Sequence, residues 1–91
     1  METLTLNDGT VVHDAVTIGA LPGLWVHITK GYTLPEAYTL FSNPEITAVI
    51  TSDKSDPRKP DEGTVYEGYT DLYMLKREDD GTIVIGLHKG G

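Results

Sequence analysis

The chain has 91 residues, 14 acids against 7 bases for a formal net charge of −7, and no cysteine. At that length one domain over 1–91 is expected, hiding about 64% of the unfolded surface, enough for one small core but not for a core plus a deep walled active site. The missing cysteine excludes disulfide staples and thiolate metal sites, no apolar run reaches the roughly 18 residues of a membrane span, and Met1-Glu2-Thr3-Leu4-Thr5 lacks the regions of a signal peptide, so an intracellular globular domain is expected.

In chain order, Thr3 to Leu6 alternates as a strand, and Asn7-Asp8-Gly9 supplies a hairpin turn because Asp-Gly tolerates positive φ. Thr10 to Ile18 is a β-branched run, read as one strand. Gly19-Ala20-Leu21-Pro22-Gly23 reads as a loop. Leu24 to Thr29 is a strand with Leu24, Val26 and Ile28 on one face and Trp25 and His27 on the other. Thr33-Leu34-Pro35-Glu36 is a capping box opening a short helix over about 34–42, with Leu34, Ala37, Tyr38 and Phe41 as its apolar stripe and Asn43-Pro44 as its stop.

Ile46 to Thr51 is a short strand. The stretch 52–63 holds Pro57, Pro60 and charges of both signs but no large apolar side chain, and reads as an exposed charged loop. Thr64 to Lys76 is the longest strand candidate, Glu78-Asp79-Asp80-Gly81 a second hairpin turn, and Thr82 to Lys89 a return strand with Ile83, Ile85 and Leu87 opposite Val84, Gly86 and His88. The sum is an α+β domain: a mostly antiparallel twisted sheet or small open barrel of about six strands with one helix.

The charge excess is spread along the chain: residues 1–45 carry five acids against Lys30, and 46–91 carry nine against six bases. Direct nucleic-acid binding needs clustered Lys and Arg, and an anionic membrane would repel such a chain, so neither is expected. A dispersed negative surface serves solubility, and it also suits docking on a basic protein partner, such as a nucleic-acid-processing protein. His13, His27 and His88 lack metal-ligand spacing, Glu67 and Asp71 stand about 13 Å apart along a strand, and no nucleophile elbow or phosphate-cradling glycine loop is present. The chain reads as no enzyme, with no metal, cofactor or catalytic residue. The aromatic set points to contact chemistry, since Tyr combines area with a polar tip. On the 64–76 strand, Tyr69 and Tyr73 are expected to share a face with Glu67, Asp71 and Leu75, while Tyr66, Leu72 and Met74 face the core. Tyr69, Tyr73, Glu67 and Asp71, with Trp25 as an anchor, form the expected binding surface.

Three stretches carry a resemblance: Glu2-Thr3-Leu4-Thr5-Leu6-Asn7-Asp8-Gly9-Thr10-Val11, the helix before Asn43-Pro44-Glu45, and Val65-Tyr66-Glu67-Gly68-Tyr69-Thr70-Asp71-Leu72 ahead of a final hairpin. In that order they resemble small uncharacterised acidic proteins encoded in prophages of Gram-positive bacteria, from which the 52–63 stretch departs in length and charge. The resemblance implies a phage or mobile-element setting, with the protein in the host cytoplasm or the virion. The expected function is a non-catalytic accessory protein that binds and blocks a host protein. A virion structural subunit, in which exposed strand edges pair copies into a homo-oligomer, is the alternative. Sequestration of a small signalling molecule by Lys76, Arg77 or the Arg58-Lys59 pair is a third reading.

Overall fold

The computed structural model describes residues 3–20, 23–51 and 64–90. These form β1 (Thr3–Leu6), β2 (Val11–His13), β3 (Ala15–Ala20), β4 (Gly23–Ile28), α1 (Leu34–Phe41), β5 (Ala48–Thr51), β6 (Val65–Glu67), β7 (Asp71–Arg77) and β8 (Ile83–His88). The strands make two four-stranded sheets, β2-β1-β5-β6 and β3-β4-β8-β7, with every neighbouring pair antiparallel. The fold class is α+β, as the patterning predicts, and the two sheets do not join into a closed barrel. The expected loop 52–63 lies outside the described residues.

Eight described strands stand where about six are expected, because two long runs bend from one sheet into the other. The Thr10–Ile18 run breaks at Asp14, whose φ of 56° takes it out of extended geometry and whose carbonyl accepts both the N–H and the hydroxyl of Thr29 at 3.0 Å. Asp is among the few side chains that occupy this left-handed region without prohibitive strain. The Thr64–Lys76 run breaks at Gly68 (φ 84°), where only backbone freedom is at stake, since a Cβ there would meet nothing within 4 Å. Each break carries the chain from an edge of the first sheet to an edge of the second. The expected loop at Gly19–Gly23 is narrower than its glycines suggest: Ala20 pairs with Gly23 at the end of the β3–β4 ladder.

Both Asp-Gly-Thr turns have one design. The N–H of Leu6 reaches the carbonyl of Thr10 at 2.8 Å and that of Glu78 the carbonyl of Thr82 at 2.8 Å. Gly9 and Gly81 take φ of 93° and 92°, and the Asp8 and Asp80 carboxylates accept the N–H of Thr10 and Thr82 at 2.9 Å. These are three-residue hairpin loops closed by a glycine bulge. Asn7 does more than turn the chain. Its amide nitrogen donates to the Glu45 carbonyl at 2.8 Å and its oxygen accepts the N–H of Thr47 at 2.9 Å and of Ala48 at 3.3 Å, fastening the turn to the approach of β5.

One core fills the space between the sheets and the helix. Leu4, Leu6, Val12 and Val49 come from the first sheet, Leu24, Val26, Ile28, Ile83, Ile85 and Leu87 from the second, and Ala37 and Phe41 from α1. Each fully buried aliphatic side chain contributes about 2 kcal/mol against exposure, which is what holds an eight-residue helix too short to stand alone. The Thr33 hydroxyl caps α1 by accepting the Glu36 N–H at 3.4 Å and donating to the Glu36 carboxylate at 2.8 Å. The expected helical stripe needs one correction: Leu34, Ala37, Leu40 and Phe41 pack inward, and Tyr38 is 57% exposed.

Candidate functional site

The core takes one face of the β3-β4-β8-β7 sheet and leaves the other open. Strand register places the outward residues in rows: Val16, His27, Val84 and Lys76; then Ile18, Trp25, Gly86 and Met74; then Gly23, His88 and Asp71. Tyr73 occupies a β-bulge between Leu72 and Met74. A bulge adds a residue and re-aims its side chain. Here Tyr73 keeps the outward face it shares with Asp71, its ring stacked on His88 (centroids 3.7 Å apart, 18° between planes) and edge-on to Trp25 (5.5 Å, 74°), and the extra residue turns Met74 outward as well.

Two glycines make room for that ring. A Cβ on Gly86 would lie 2.8 Å from Tyr73 Cζ, and one on Gly23 would lie 3.3 Å from the Tyr73 hydroxyl. The ring is thus seated rather than free. Around it large apolar side chains stand in water: Ile18 is 52% exposed, Val16 42%, Tyr73 39% and Met74 37%. Val84, between them in the register, is only 3% exposed; exposed apolar side chains sharing a sheet face with an ordered aromatic pair still mark an interaction surface more often than a plain protein exterior does. The outer face of the other sheet has a row of Val11, Thr5, Ile50 and Val65 and, among the described residues, no Trp, Tyr or Phe.

The five expected site residues divide over three places. Trp25, Tyr73 and Asp71 come together on the open face. Glu67 sits on β6 at the edge of the other sheet, opposite Ala48. Tyr69 lies past the Gly68 corner, packed against the core and edge-on to Tyr66 (6.1 Å, 72°), with the Lys89 ammonium 5.7 Å from its ring. The single tyrosine–acid stripe does not form, because the corner and the bulge each reset the inward–outward alternation. For the same reason Leu75 packs against the core and Met74 faces out, the reverse of the expectation.

Val16, Ile18, His88, Gly86 and Met74 belong to the face without having been singled out by sequence. The available signal was Gly86, alone among large side chains in a strand, where a glycine marks close approach by another group.

Two shallow hollows flank α1. One, about 460 Å³, is lined by Tyr32, Pro35, Glu36, Thr39, Leu40 and Asn43. The other, about 570 Å³, brings Lys30 and Arg77 to Tyr32, but Asp80 shares its wall and Asp14 holds Lys30 at 3.7 Å. Among the described residues no group of three or more His, Cys, Asp or Glu is placed to hold a metal ion, and no helix is long and apolar enough to cross a membrane. Comparison with protein-family models, curated proteins and solved structures finds no match for the chain.

Proposed function

We propose that the protein acts without catalysis, by docking the open face of the β3-β4-β8-β7 sheet on a partner protein and blocking it. The observation that carries this is the seated Trp25–Tyr73–His88 group surrounded by exposed Val16, Ile18 and Met74. Rigid aromatic area presented to water lowers the ordering entropy of binding, and such side chains dominate interface energetics. The net charge of −7 selects the occupant: a surface with an apolar centre and a basic surround, as on a nucleic-acid-processing host protein. Bound there, the chain excludes an anionic substrate both by volume and by charge, which fits the prophage setting that the sequence resembles.

The test compares capture by the wild-type chain and by Tyr73→Ala and Met74→Lys variants with unchanged far-UV spectra. The reading predicts a basic protein retained by the wild type, lost with either variant, and released as ionic strength rises to about 0.5 M, where charge attraction is screened within a few ångströms. The same proteins retained by all three chains would overturn it.

A further inference from the structure

The edge of the same sheet makes a second surface, which shares Val16 and Ile18 with the open face. β3 pairs with β4 over its whole length, from Ala15 opposite Ile28 to Ala20 opposite Gly23, and no described strand pairs with its other side. The Asp14 carbonyl accepts the Thr29 N–H at 3.0 Å, which sets the alternation of the ladder. Backbone groups of Val16, Ile18 and Ala20 point to β4, and those of Ala15, Thr17 and Gly19 point away from the sheet. Such an edge invites another strand unless charge, proline or a bulge guards it. Ala15-Val16-Thr17-Ile18-Gly19-Ala20 has no charged residue and no proline, and its register with β4 runs without a shift.

We infer that this edge docks a second copy of the chain, two β3 strands pairing antiparallel about a twofold axis through Thr17. The parity is self-complementary. Thr17 meets Thr17 of the other copy, Ala15 meets Gly19, and each pair exchanges N–H and C=O groups that face outward in the single chain. Val16 and Ile18 then lie directly across from Ile18 and Val16 of the other copy, in the close non-hydrogen-bonded position where apolar pairs add most. A second copy fits better than a foreign strand for a further reason: despite −7 on each chain, the edge brings no like charges face to face, and its charged neighbour Asp14 is already paired with Lys30 at 3.7 Å. Isologous pairing closes at two copies. It joins the two sheets into one and sets both Trp25–Tyr73 groups on one continuous face.

Sedimentation equilibrium on the full chain, from about 1 μM to 1 mM, tests this, a range that brackets the affinities expected of small interfaces. The mass is expected to rise with concentration from 9.9 kDa to twice that value, and added salt is expected to strengthen association by screening repulsion between acidic chains. Salt weakens the docking of a basic partner, so the two surfaces fail separately. Thr17→Pro removes an outward N–H while sparing the β4 ladder, and the pair Val16→Lys with Ile18→Lys sets like charges opposite one another without touching the backbone. Each is expected to weaken association at least about tenfold, which is 1.4 kcal/mol, whereas Tyr73→Ala leaves it unchanged. A wild-type mass of 9.9 kDa throughout, a dimer that survives in the Lys pair, or assemblies larger than two copies would overturn the inference; the last would favour a virion subunit.

Discussion

At the scale of single residues, the open face depends on the absence of one side chain. With a Cβ on Gly86 only 2.8 Å from Tyr73 Cζ and 3.1 Å from Trp25 Cζ3, alanine there cannot coexist with the ring in its seat. Because Tyr73 is 39% exposed, the ring has somewhere to go. Gly86→Ala is therefore expected to cost about 1 kcal/mol, the low end of overpacking, while displacing Tyr73 from Trp25 and His88. Thermal melting reads the first effect, and the near-ultraviolet circular dichroism of Trp25 reads the second. An unchanged aromatic spectrum would show that the glycine is not what seats the ring.

Single elements behave much as their sequences say, and the hairpin turns supply a test in acid. The Thr10 backbone N–H, aided by the Thr10 hydroxyl, holds the Asp8 carboxyl below its ordinary 3.8, and Thr82 does the same for Asp80. A carboxylate with a depressed folded value stabilises fully above its unfolded value, and that contribution fades as pH falls through the folded one. Stability should hold at neutral pH and drop below 3.8. Urea unfolding between about pH 6 and pH 2 measures the slope. Replacing both residues, Asp8→Asn with Asp80→Asn, should flatten it.

The β5–β6 connection gives a second test at this scale. The Thr51 N–H meets the Thr64 carbonyl at 2.9 Å, so the two residues that flank the twelve-residue stretch 52–63 are already side by side. A linker of about three residues closes the same gap with two halvings of loop length, a gain of about 1 kcal/mol. A raised melting temperature is expected, and a collapse would show that the stretch contributes to the core.

Strand faces in β4 and β8, both Asp-Gly turns and the helix cap were legible because each rests on two to four neighbouring residues. Tyr38 was misassigned because position i+4 of a helix can face the core or skirt it, and only packing against β7 and β8 decides.

Over the whole molecule, legibility falls where two strands are bent. Nothing local in Val12-His13-Asp14-Ala15 announces a sheet crossing; Asp14 adopts a φ of 56° because the Thr29 backbone and hydroxyl wait for its carbonyl. The Tyr73 bulge depends likewise on Gly86 and Gly23, which lie on other strands. An alternation rule carried straight through Glu67–Leu75 therefore assigns faces correctly only as far as the first irregularity, and the five expected site residues scatter accordingly, with Trp25, Tyr73 and Asp71 alone kept together. What the strands do bring together at this scale is the outward Trp25, Tyr73 and His88 group on which the proposed docking rests.

Site-specific photo-crosslinking in cells tests that idea most directly. A benzophenone side chain at Met74, 37% exposed beside Tyr73, is compared with one at Tyr38, 57% exposed on the helix away from the face. The account predicts an adduct of one defined mass with a basic protein from position 74 and none from position 38. Equal labelling from both positions, or labelling from 38 alone, would contradict it.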